Sequence, residues 1–161
     1  MISTPTLHTL PQKKLVGKSK RMSLLQNTTP ILWKSFMQQR DRIQHTVGTD
    51  LYSLQVYDAL YFEDFSPQTE FTKYALTEVT DFETIPNEME CFVLEGGLYA
   101  VFIYKGLPEN FAEAFQYIFY TWLPNSDYEL DHRPHFEVLK TTYNPTHEES
   151  EEAVWIPIKT R

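Results

Sequence analysis

Near the C-terminal end of the chain a carboxylate sits inside an apolar run, Arg133-Pro134-His135-Phe136-Glu137-Val138-Leu139. Acidic side chains are almost never fully buried unless they are paired. Glu137 therefore has two readings. On a solvated strand face it is an ordinary surface glutamate. On the wall of an enclosed cleft it is a fixed negative charge. A ligand cation about 4 Å away would then gain on the order of 4 kcal/mol at an effective dielectric of about 20. That is about a thousandfold in affinity. Strand alternation puts Phe136 and Val138 on one face and His135, Glu137 and Leu139 on the other.

Other reactive residue types carry less. His132 and His135 form a His-x-x-His, but positions three apart on a strand point to opposite faces, so no metal site is expected. No histidine presents itself as a haem ligand, and no cofactor is expected. Cys91 is the only cysteine, which excludes an intramolecular disulfide and accords with a reducing cytoplasm. It precedes a glycine pair in a strand-like stretch and reads as a small buried hydrophobe rather than a nucleophile. The run Glu148 to Glu152 reads as a solvated loop. The chain holds 11 Phe, 10 Tyr and 3 Trp. Such rings fill cores, and they also wall pockets for flat organic ligands. Trp33, Tyr61, Tyr99, Tyr120, Trp122 and Phe136 are the aromatic candidates to stand around Glu137. The two tryptophans sit at the ends of helical stripes and also suit a core.

Two helices are needed to position these groups, and each opens with a proline. In "TTPILWKSFMQQRDRI", Thr29 is placed to cap and Pro30 to occupy the first turn. Leu32, Trp33, Phe36 and Met37 make its apolar stripe. In "LPENFAEAFQYIFYTWL", which starts at Pro108, the residues Phe111, Phe115, Ile118, Phe119 and Trp122 follow helical spacing. Strand-like stretches surround both. The order is strand, helix, strand, strand, then the same again, and the two prolines lie half a chain apart. This reads as a structural duplication in an α+β fold. Residues 1–11 read as a flexible leader and 12–160 as one domain, with repeats of about 12–86 and 87–160.

The stretches "EGGLYAVFIYKG", "TWLPNSDYELDHRPHFEVL" and "VWIPIK" resemble the GyrI-like family. That family comprises effector-binding domains of AraC- and MerR-type regulators, together with free-standing members. The matching pieces are Gly97 to Phe102, Trp122 to Pro124, Pro134 to Glu137 and Ile156 to Ile158, joined by Leu32–Trp33 and "LYSLQVYD" in the first half. The resemblance spans about residues 12 to 160. It implies two pseudo-twofold-related βαββ repeats with a ligand cleft between them. It also implies that Glu137 faces the cleft, where it would contact cationic aromatic ligands.

Several functions follow as expectations. The leading one is a stand-alone cytoplasmic binder of hydrophobic, cationic or aromatic small molecules, used in sensing, sequestration or drug and toxin tolerance, and linked by resemblance to transcription regulation and multidrug binding. A second is a hydrolase of electrophilic toxins, as the resemblance allows, with Glu137 as the catalytic group. A third is a protein-partner module such as a topoisomerase inhibitor. The formal net charge of −8 lacks the basic footprint of a nucleic-acid binder. With no helix-turn-helix stretch either, direct DNA binding is not expected. No apolar run is long enough to span a membrane.

Overall fold

The computed structural model describes the whole chain, residues 1–161. In chain order it contains β1 (Thr6–Leu10), β2 (Lys13–Ser23), α1 (Thr29–Gln39), β3 (Thr46–Val56), β4 (Glu70–Val79), β5 (Glu90–Leu94), β6 (Gly97–Lys105), α2 (Phe111–Gln116), β7 (Tyr128–Leu130), β8 (His135–Leu139) and β9 (Glu151–Thr160). A 3₁₀ turn at Arg40–Arg42 follows α1, and another at Pro108–Asn110 leads into α2. The helical path continues past α2 as a π-helical segment, Tyr117–Trp122.

All strand pairs are antiparallel, and the sheet runs β1-β6-β9-β8-β3-β4-β2-β5, with β7 beside β9. Exchanging β1 with β5, β2 with β6, β3 with β8 and β4 with β9 turns this order into its own reverse. The two halves are therefore related by a pseudo-twofold that passes between β3 and β8, as the repeated element order predicts. Each repeat also carries a leading strand. β1 pairs with β6 and β5 with β2, so each leading strand closes the edge of the other half.

The expectation of a flexible leader over 1–11 is corrected here. Thr6–Leu10 pairs residue by residue with Gly97–Val101, and the Ser3 N–H donates to the Ile103 carbonyl at 2.9 Å. The free edge of β6 needs partners for its backbone groups, and burial of Leu10 anchors the strand that supplies them. Thr29 does not cap α1 either. Its N–H donates to the Asn27 side-chain oxygen at 3.0 Å, two residues earlier. Cys91 lies on edge strand β5 and is exposed, not buried.

Apolar residues collect in three cores. Leu32 and Phe36 of α1 pack on Val16, Met22, Phe71, Ala75 and Val79. Ala114 and Ile118, from α2 and the π-helical segment, pack on Ala100, Phe102, Val154, Ile156 and Ile158. The third core fills the opposite face of the curled sheet, with Leu15, Tyr52, Leu54, Leu76, Leu94, Tyr99, Phe136 and Val138.

The sheet's curl brings β2 tightly over β4 at Gly17. A Cβ built there would lie 1.8 Å from the Ala75 carbonyl oxygen, and backbone cannot swing away as a side-chain tip can. Gly17→Ala is expected to lower the unfolding free energy by at least about 2 kcal/mol. Chemical denaturation measures this, and an unchanged midpoint would contradict the close approach.

Candidate functional site

Strand register decides which way Glu137 faces. Directly opposed residues in an antiparallel pair share a face. Glu137 opposes Val154 on β9, which lies under α2. It also opposes Ser53 on β3, and Ser53 opposes Ala75, which lies under α1. Glu137 thus stands on the face that carries both helices, at the seam between them. Each helix covers the apolar strands of its own half, and the seam strands β3 and β8 hold polar groups there: Ser53, Gln55, His135 and Glu137.

The carboxylate has few partners. Gln55 Nε2 donates to its Oε1 at 3.2 Å, and Lys73 Nζ lies 3.9 Å from the same oxygen. The second oxygen, Oε2, accepts no hydrogen bond from the protein. Only 17% of the Glu137 side chain and 10% of the Lys73 side chain meet water. Glu137 is thus largely buried at the seam between the two helices. Burial pushes its carboxyl above the usual carboxylate range, while the Lys73 ammonium and then the Gln55 hydrogen bond pull it back in part.

A second acid adjoins it. Glu152 lies two residues before Val154 on β9, on the same face as Glu137. Burial, and then the charge of Glu137, push it up to about 8, with Lys73 and the Tyr143 hydroxyl opposing the shift. The expectation that Glu148 to Glu152 is all solvated loop fails at this residue, because β9 begins at Glu151. Tyr143 itself is pushed well up by burial and then by the charges of Glu152 and Glu137.

Aromatic rings pack together at one end of this seam. Tyr57, beyond β3, lies edge-on to His135 at 4.8 Å, and Tyr61 is 4.5 Å from Tyr57. Phe62 stacks on His135 at 5.5 Å and on Phe119 of the π-helical segment at 5.6 Å. The β3–β4 connection thereby reaches across to the second helix. Burial pushes His135 down to about 3, so its imidazole stays neutral. The wide π turn, with the Leu123 N–H donating to the Ile118 carbonyl at 2.9 Å, is the segment that offers Phe119 to this stack.

Of the residues singled out from sequence, Glu137 lies in this neighbourhood, and Tyr61 adjoins it through Tyr57 but is buried in the first helix's core, 3% exposed. Tyr99 and Phe136 are packed instead in the core on the opposite face, 0% and 1% exposed. Phe136 follows the alternation that sets it against Glu137. Trp122 lies edge-on to Phe102 in the second helix's core, and Trp33 edge-on to Phe36 in the first's. Tyr120 is 66% exposed. Sequence reasoning missed Lys73, Gln55, Glu152, Tyr57, Phe62 and Phe119 as site residues. Neither of two further cavities is lined by Glu137. One of about 350 Å³ is lined by Lys140, Thr142, His147, Glu149, Ser150 and Glu151 and has no hydrophobic wall. One of about 70 Å³ adjoins Arg133 and Tyr57. No group of three metal-ligating side chains occurs. No helix is long and apolar enough to cross a membrane.

The family of integron-associated effector binding proteins matches residues 6–158. The chain belongs to this family. That membership agrees with the GyrI-like resemblance and makes the chain an effector-binding domain. No curated protein matches it. Among solved structures, SAV2435 bound to tetraphenylphosphonium is similar with a TM-score of 0.74 at 16% identity, covering 98% of this chain and 94% of that one. The integron cassette protein VCH_CASS2 of Vibrio cholerae is similar with a TM-score of 0.69 at 11% identity, covering 98% and 97%. A hydrolase from Listeria innocua is similar with a TM-score of 0.62 at 10% identity, covering 97% and 92%. Such identities establish a shared fold.

Because the fold favours protonated Glu152, that contribution to stability is present below the ordinary carboxylate pKa and is lost as pH rises through about 8. Glu152→Gln retains the neutral form. It is expected to raise the melting temperature at pH values above 8 and to leave it nearly unchanged near pH 5. An equal shift at both pH values would mean that Glu152 acts through packing rather than charge.

Proposed function

We propose that the chain is a cytoplasmic binder of hydrophobic cationic aromatic molecules, held in the crevice between the two helices with Glu137 as the anionic anchor. The observation that carries this reading is a largely buried carboxylate at the seam between the helices with one oxygen free of protein partners. Such a group is costly to bury until a cation meets it. Tyr57, Phe62 and Phe119 are the rings placed for stacking and cation–π attraction beside it. The similar protein SAV2435 was solved with tetraphenylphosphonium, a lipophilic cation, which supports the same ligand class here. Sensing, sequestration and tolerance of toxic compounds are uses that fit a binder of this kind, including one that works with transcription regulators. The net charge of −8 argues against direct binding to DNA.

A second reading draws on the paired acids. Glu137 and Glu152 differ in environment, and Glu152 shifted to about 8 is suited to hold or give a proton near neutral pH. With the fold shared by a hydrolase, hydrolysis of a trapped electrophile is the alternative. Time-dependent conversion of a bound electrophile, lost in Glu137→Gln, would favour it. Unaltered recovery of the ligand favours binding alone.

Glu137→Gln removes the charge and keeps the shape. Affinity for tetraphenylphosphonium is expected to fall by about 30- to 1,000-fold, while affinity for neutral triphenylphosphine oxide holds within about threefold. Calorimetric titration of both compounds into both proteins measures this. Equal losses for the two ligands, or none for either, would contradict a charge-selective role.

A further inference from the structure

The pseudo-twofold sets two charged residues on either side of Glu137. Ser53 opposes Glu137, Ser53 opposes Ala75, and Glu137 opposes Val154. A twofold through the Ser53–Glu137 pair therefore exchanges Ala75 with Val154. Two residues back along each strand, it exchanges Lys73 with Glu152. One half thus brings an ammonium to the seam, and the other brings a carboxylate. The groups facing Glu137 are Gln55 and Tyr57 from β3 and its end, Lys73 from β4, neutral His135 from its own strand, Glu152 from β9, and Tyr143 from the β8–β9 connection. Lys73 is the only cation among them.

We propose that Lys73 is the resident counter-ion of this site, and that a ligand cation binds Glu137 by displacing it. The proposal rests on the cation-binding reading of the crevice and names a residue that sets its selectivity. The Lys73 ammonium lies 3.9 Å from Glu137 Oε1, too far for a hydrogen bond, and it donates none elsewhere in the protein. It is attracted to the carboxylate without being locked to it. Its four-carbon stem is flexible, and its register partner on β2, Lys20, is exposed, so water is within the stem's reach. A ligand cation seated on Glu137 would meet a like charge a few ångströms away unless Lys73 withdraws. The work of moving it filters ligands. A neutral aromatic gains nothing by displacing it, whereas a weakly hydrated delocalised cation gains the carboxylate that Lys73 vacates.

The test uses wild type, Lys73→Met, Glu137→Gln and the double variant, with tetraphenylphosphonium and triphenylphosphine oxide as probes. Titrations run above pH 8, beyond the titration of Glu152. There Lys73→Met is expected to bind tetraphenylphosphonium about 10- to 100-fold more tightly than wild type, with triphenylphosphine oxide changed less than about threefold. The melting temperature of Lys73→Met should fall, because Glu137 loses its cation, and adding Glu137→Gln should restore it. A cation affinity unchanged or weakened in Lys73→Met, while wild type binds the cation and Glu137→Gln does not, overturns the displacement and leaves the binding reading standing. A melting temperature equally low with and without Glu137→Gln overturns the resident pair. Failure of all four proteins to bind the cation overturns both readings together.

Discussion

A carboxylate with one unpartnered oxygen, on a sheet face between two helices, is the constraint around which this structure is arranged. Desolvating a charge is expensive, and a lone ammonium at 3.9 Å offsets only part of that. The rest of the molecule must be rigid enough to hold Glu137 in place. Two apolar cores do so, one under each helix, and a third braces the far side of the sheet. Two short helices cannot cover eight strands in sequence across a curled sheet. The two strands between the helices, β3 and β8, are the pair that meet at the pseudo-twofold. A polar seam is therefore a consequence of the duplication itself, and the proposed site lies in it.

Duplication supplies the scaffold, and departures from symmetry supply the chemistry. The exchange of leading strands, β1 to one half and β5 to the other, ties the repeats into one sheet. Within the seam the pairs no longer match. Ser53 stands where the other half has Glu137, and Lys73 where it has Glu152. The helices differ as well. α1 runs as an ordinary α-helix, whereas the second passes into a π-helical segment that offers Phe119 to His135 and Phe62. The aromatic cluster therefore belongs to one end of the seam, with the charged groups beside it.

Much of this was legible in sequence because periodicity reports which residues share a face. The 3.6-residue spacing of Phe111, Ile118 and Trp122 located the second helix, and the alternation of His135, Phe136 and Glu137 assigned Glu137 to the face away from Phe136. Register is a different matter. Lys73 and Gln55 reach Glu137 only because β4, β3 and β8 align as they do, and Gln55 is 82 residues away along the chain. Nothing in "TEFTKYALTEV" distinguishes Lys73 from a solvated strand lysine. Glu152 was hidden in an acidic run whose last members enter a strand. The residue type of an aromatic likewise says nothing of its face, which is why Tyr99 fell in the opposite core while Tyr57, unremarked in sequence, lies at the crevice. The leader was misread because its strand has only one buried anchor, Leu10, and draws its stability from the edge of β6.

The central claim is that the crevice at Glu137 is where a lipophilic cation binds. Its most direct test is a crystal structure of the protein with tetraphenylphosphonium. The account predicts the phosphorus centre over the Glu137 carboxylate, phenyl rings against Tyr57 and Phe62, and the Lys73 ammonium drawn away from Oε1 beyond its present 3.9 Å. A cation lodged instead in the polar cavity beside His147 and Glu149, with the Lys73–Glu137 pair undisturbed, would contradict it.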